Sequence, residues 1–120
     1  MEEGANRLSP VITEAVLKSA EYFGIDDAAL GGFLGTGPEV IEDYRTGATE
    51  IDPESPLGGR ARHFVRAFLF LDIIAAGDAV VRNQWLRNYN HALYGVPLEL
   101  MRDPAGLARV ADYLDGHRRR

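Results

Sequence analysis

The chain has 120 residues, 46% of them hydrophobic and 26% charged, with 13 Lys+Arg, 18 Asp+Glu and no cysteine. That apolar share excludes a disordered segment, and the missing cysteine excludes a disulfide framework, Cys-ligated zinc, an iron–sulfur cluster and a thiol nucleophile. The net charge of −5 is unevenly spread: residues 1–56 hold three basic against twelve acidic residues and residues 57–120 hold ten against six, so the first half repels a phosphate backbone.

Periodicity predicts helix nearly everywhere. Ile12, Val16, Ala20 and Phe23 form one stripe of a helix beginning near Pro10 and closed by Gly24. Asp26 or Asp27 can cap a short second helix with Leu30, Phe33 and Leu34, which runs into a Gly35-Thr36-Gly37 turn. Pro38 suits the first position of a third helix, whose apolar face is Val40, Ile41 and Tyr44 and whose end is Gly47. From Thr46 to Arg60 the chain turns to Gly, Pro, Asp, Glu and Ser, which predicts a connector and the one internal boundary. A long helix is expected from about Gly59 to Ala76, with Ala61, Phe64, Phe68, Leu71 and Ala75 on one face and Val65, Leu69 and Ile73 on the next. Two apolar faces make it the central helix of the domain or, in part, a dimer interface.

After Gly77, Asp78 caps a helix in which Val81, Trp85 and Tyr89 recur at i, i+4, i+8, and Trp85, Leu86 and Tyr89 are expected in the core. Asn88 to Val96 reads as a loop, and Pro97 opens one helical turn through Met101. Asp103-Pro104 starts a last helix with Leu107, Val110, Ala111 and Leu114 inward, stopped by Gly116. The expected fold class is all-α. A helix-turn-helix-like N-terminal part with its connector, 1–58, is joined through a long central helix to a small helical part, the two making up 59–120.

Reactive groups are scarce. His63, His91 and His117 belong to no HxxxH or HExxH pair, and Ser9, Ser19 and Ser55 stand in no GxSxG-like turn. In the glycine cluster Gly31 to Gly37, Pro38 stands where a phosphate loop needs Lys. Asp26/Asp27 and Glu42/Asp43 are adjacent rather than i, i+4, so neither pair converges on a metal. No catalytic residue, cofactor or metal is expected, and a binding module is the remaining class. The opening Met1-Glu2-Glu3-Gly4 shows no signal peptide and residues 64–76 are too short to span a bilayer, which needs about 20 apolar residues, so a cytoplasmic protein is expected.

Residues 25–47 resemble a helix-turn-helix, in which Thr36, Pro38, Glu39, Glu42 and Arg45 would stand nearest a DNA groove. Carboxylates there repel phosphates, which leaves direct transcriptional regulation as the alternative reading. A more specific resemblance lies further on. Trp85-Leu86, a nearby Asn, Leu93 two residues before Gly95, Pro97 with apolar followers, then Gly106-Leu107 and a helix ending near Tyr113-Leu114 resemble the toxin-binding domain of Xre/MbcA/ParS antitoxins. The combination covers about residues 10–116.

That resemblance implies a type II antitoxin whose helix-turn-helix part supports dimerisation or operator binding, and a homodimer through the first 76 residues is expected here. The antitoxin's partner would be a RES-domain toxin that degrades NAD, and its C-terminal part would obstruct the toxin's NAD site. The toxin-facing residues are then expected to be Asn90, Leu93 and Tyr94 from the loop, with Arg109, Asp112, Tyr113 and Asp115 from the last helix. Asp112 or Asp115 would pair with arginines of the toxin's pocket.

Overall fold

The computed structural model describes residues 3–119, with side chains described from Arg7 onward; Met1-Glu2 and Arg120 lie outside the described residues. Seven helices follow one another: α1 Glu3–Phe23, α2 Asp27–Leu34, α3 Pro38–Thr46, α4 Pro56–Ile74, α5 Ala79–Arg87, α6 Pro97–Leu100 and α7 Pro104–Arg118. The protein is all-α, as its periodicity predicts.

Local chemistry sets most boundaries. Asp26, Ser55, Asp78 and Asp103 each accept backbone N–H bonds at the start of α2, α4, α5 and α7, and proline opens α3, α4, α6 and α7, where its absent N–H costs nothing. The α2–α3 pair meets across Gly35-Thr36-Gly37 as expected.

Three boundaries differ from the sequence reading. The first helix begins upstream of Pro10, which lies inside α1. The connector is shorter than expected, because Pro56, Gly58 and Gly59 belong to the first turn of α4 rather than to a loop. Gly58 is there for space: a Cβ would overlap the Asp52 carbonyl oxygen, where the connector passes under the helix. The last helix continues through Gly116 to Arg118, since one glycine costs a helix only about 1 kcal/mol and Arg118 and Arg119 pair back onto Asp115 at 2.9 and 3.2 Å.

Helix α4 is the hub and packs against α1, α2 and α7. Its predicted inner face is buried at Ala61, Phe64, Phe68, Leu71 and Ala75. Phe64 sits 5.3 Å from Phe23 and 5.9 Å from Phe33, ring centre to ring centre, so one aromatic joins α1, α2 and α4. A single hydrophobic cluster runs from Val16 to Leu114 and takes in residues on both sides of the expected 58/59 division. Ile51 ties the connector in: it is buried, and its N–H donates 2.8 Å to the Thr13 hydroxyl, which itself donates to the Ser9 carbonyl.

Arginine accounts for how the basic second half sits on the acidic first. Arg87 donates to the Phe23 carbonyl at 3.1 Å and Arg60 to the Leu34 carbonyl at 3.3 Å, so each closes the C-terminal end of a helix, where the dipole favours a cation. Among the described residues no helix is long and apolar enough to cross a membrane, and no group of three His, Cys, Asp or Glu could hold a metal ion.

Candidate protein-binding surface

Helix α5 is nine residues long and buries only Arg82 and Leu86. Val81 and Trp85 each precede one of that pair by one residue and are therefore turned about 100° away from it, and Tyr89 follows in the loop just beyond the end of α5. Of the residues read as core, Leu86 is buried and Trp85 is half-buried against the core, but Tyr89 is 56% exposed and overturns that reading; Val81 is 43% exposed. Together with Gln84, Asn88 and Asn90, the three residues Val81, Trp85 and Tyr89 line an open concavity of about 330 Å³. Trp85 forms one wall, its indole stacked at 6.3 Å on Tyr113 of α7; Tyr113 continues to His117 at 4.4 Å, making an aromatic ladder along the outside of α5 and α7.

The loop after α5 is built rather than slack. Asn90 and Gly95 exchange backbone hydrogen bonds of 2.8 and 3.3 Å, and the Asn90 side chain accepts from Leu93 N–H at 3.0 Å. Arg109 of α7 donates to the Leu93 carbonyl. Leu93 is only 2% exposed, which corrects the expectation that it waits for a partner to cover it; the chain's own core covers it. Tyr94 is the reverse: it is 81% exposed and held at φ +59°, a left-handed backbone that a tyrosine rarely adopts.

On α7, the structure divides the four expected residues. Tyr113 is half-buried in the ladder, and Arg109 is engaged by the loop. Asp115, 19% exposed at its side chain, receives Arg118 at 2.9 Å, Arg119 at 3.2 Å and Arg66 at 3.8 Å. Asp112 is 72% exposed and has one contact, Arg66 at 3.4 Å.

The helix-turn-helix residues look different. Pro38, Glu39, Glu42 and Arg45 are exposed and Thr36 is half-buried, so they do share the outer side of α3 and its turn. The lone cation is spent within the protein: Arg45 grips Asp27 of α2 through Nε at 3.0 Å and Nη2 at 2.6 Å. Those hydrogen bonds hold the Asp27 carboxyl below its usual range and push the Arg45 guanidinium above its own. Burial pushes up the Tyr44 phenol one position earlier. What α3 offers outward is Glu39, Glu42 and Asp43.

Half-buried Trp85 near the end of α5 and exposed Tyr89 and Tyr94 in the braced loop after it place three aromatic residues on one side of the molecule's C-terminal half. Residues 70–120 match the family described as the antitoxin Xre/MbcA/ParS C-terminal toxin-binding domain. No match was found among curated proteins. The matched segment runs from the last turns of α4 to the end of the chain and contains Val81, Trp85, Tyr89, Tyr94 and the α7 residues described above.

Sequence reasoning missed Val81, Gln84, Trp85, Asn88 and Tyr89 as surface residues. The signal was present in the i, i+4, i+8 aromatic stripe, but a stripe shows only that one side of a helix is apolar. Which side faces in was decided by Arg82, a residue whose charge reads as solvent-facing.

Proposed function

We propose that the chain is the cytoplasmic antitoxin of a type II toxin–antitoxin pair and that its partner is a RES-domain toxin that degrades NAD. The antitoxin acts sterically, laying the outer face of α5 and the 88–96 loop against the toxin and closing the approach to its NAD site. The observation that carries this reading is the outward Val81–Trp85–Tyr89 stripe beside the projecting Tyr94, inside the segment that matches a toxin-binding domain. Exposed aromatics on a pre-set frame are the usual anchors of a protein interface, because they bury large area and lose little side-chain entropy.

Asp112 is the carboxylate available to a cationic NAD pocket, since Asp115 already serves three arginines. Direct operator reading by α3 finds no support in a helix surface that presents three carboxylates and a paired arginine.

The test is co-expression with a neighbouring RES-domain reading frame, co-purification, and an assay of NAD consumption. The expected result is a stable complex with suppressed NAD loss and release of activity by Trp85→Ala or Tyr94→Ala. A neighbour that remains fully active beside this chain overturns the reading.

A second surface supports the homodimer. Leu8 and Val11 of α1 and Leu69 and Ile73 of α4 are each at least half exposed, and the two helices flank an apolar groove floored by Ile12, Ala15 and Val65. Along α1 the charges beside this face are Glu14, Lys18 and Glu21, and along α4 they are Arg62 and Arg66, the last also paired with Asp112 and Asp115. A two-fold axis running along the helices lays α1 of one copy on α4 of the other and brings those edges, one net acidic and one basic, together, which suits a second copy of the chain.

A further inference from the structure

Arg82 is the least expected residue in the interior. Its side chain is 6% exposed, its Nη1 donates to Asp72 Oδ1 at 2.6 Å, and its guanidinium lies 5.3 Å from the Tyr22 ring and 5.6 Å from the Phe68 ring. Tyr22 and Phe68 are themselves stacked at 4.9 Å. Its Nε has no hydrogen-bond partner. A buried cation with one N–H unsatisfied is costly, and an apolar side chain of similar length would fill the same space at less expense, so stability alone does not account for it.

We propose that Arg82 is a positioning residue for partner binding: it sets the rotation of α5 so that Val81 and Trp85 face outward and the loop carrying Tyr89 leaves the helix on that side. This rests on the antitoxin reading above and goes further, because it makes the face of the matched segment depend on Tyr22 of α1, which lies outside that segment. The reason is geometric. Only Arg82 and Leu86 of α5 are buried; leucine contact is non-directional, and half-buried Trp85 on Tyr113 constrains rotation less narrowly than a forked ion pair does. A planar guanidinium against two rings, with its fork aimed at one carboxylate, accepts a narrow range of orientations. Arg82 and Trp85 are three residues apart, so a roll that releases one turns the other by the same angle. One turn on, Arg87 fastens the end of α5 to the Phe23 carbonyl of the same α1.

Trp85 is the only tryptophan in the chain and reports directly. The experiment is emission and acrylamide quenching of Trp85 on the full-length protein, with far-UV circular dichroism as control. Arg82→Met and, from the opposite side of the seam, Tyr22→Leu are expected to shift Trp85 emission and change its quenching while helicity is kept, and Arg82→Lys is expected to restore part of the parent signal. Unchanged emission and quenching in Arg82→Met overturns the proposal. With the co-purified toxin, Arg82→Met is expected to weaken the complex about tenfold, and Arg82→Met combined with Trp85→Ala to cost less than the product of the two. Strictly multiplicative effects overturn it as well, since they mark a residue that acts elsewhere. A complex indifferent to Trp85→Ala would instead sink the assigned contact face, leaving the fluorescence result to decide Arg82.

Discussion

Leu93 and Tyr94 are neighbours in the chain and point opposite ways, one 2% and the other 81% exposed, across a loop braced by the Asn90–Gly95 bridge and by Arg109. Burying Leu93 is what throws Tyr94 outward. The two residues are therefore separable in experiment. Leu93→Ala removes a core contact and is expected to cost about 2–5 kcal/mol of stability, read as a lower midpoint in urea or thermal unfolding. Tyr94→Gly relieves a left-handed tyrosine and is expected to leave the midpoint unchanged or to raise it by up to about 1 kcal/mol, while the complex with the toxin weakens by at least about tenfold. A Tyr94→Gly protein that binds as tightly as the parent removes Tyr94 from the contact.

The Asp27–Arg45 clamp joins α2 to α3, and its pH dependence follows from the direction of the Asp27 shift. The folded carboxyl titrates below its unfolded value, so the stabilisation is complete above the unfolded value of 3.8 and is lost as pH falls through the folded one. Both side chains are about a third exposed and screened, so the contribution is at most about 1 kcal/mol. Thermal unfolding of Asp27→Asn is expected to show a lower midpoint than the parent at pH 7 and a gap that closes toward pH 3. A gap constant with pH would assign the loss to something other than the ion pair.

The family pattern recognised in the sequence is largely a set of structural positions. Asn90 braces a turn, Leu93 plugs the core, Pro97 opens α6, and Gly106 lies where a Cβ would overlap the Leu100 carbonyl oxygen. Gly106→Ala is accordingly expected to destabilise the protein although alanine is the better helix former, because the start of α7 would have to lift off α6. The check is chemical denaturation: a midpoint equal to or above the parent's would show that α6 and α7 separate freely.

How much was legible follows from the same residues. Caps, prolines and the inner face of α4 were readable because each rests on local chemistry: Asp26, Asp78 and Asp103 cap where a side-chain acceptor precedes an apolar period. The orientation of α5 was not readable. Its nine residues carry two competing faces, and the buried one contains Arg82, whose partners Tyr22, Phe68 and Asp72 come from α1 and α4. Tertiary pairing of this kind leaves no trace in local periodicity. Asp115, expected to face a partner's arginines, is instead taken up by Arg118 and Arg119 at i+3 and i+4, a local pairing the spacing could have shown, and by Arg66 of α4, which it could not.

The apolar face shared by α1 and α4 makes an oligomeric prediction. Light scattering on the purified chain is expected to give the mass of two copies, and Leu69→Glu, at an exposed position that leaves the core untouched, to give one. Charge reversal tests the pairing of the edges: Glu14→Arg and Arg62→Glu should each weaken the dimer, and the double reversal should restore it in part. A parent chain that is monomeric at tens of micromolar ends this reading.

Charge also predicts the outcome of a DNA-binding assay. The outer side of α3 presents Glu39, Glu42 and Asp43, and Arg45 is bidentate to Asp27, so docking on a duplex would bring three carboxylates toward phosphates with no free cation on that helix to displace counterions. A gel shift of the chain alone on its own promoter, titrated in salt, is expected to show no sequence-specific retardation at about 100 mM monovalent salt. Asp27→Ala would free Arg45 and should raise any residual affinity. Specific retardation by the parent chain, abolished by Arg45→Ala, would show that α3 reads DNA and that the clamp opens on binding.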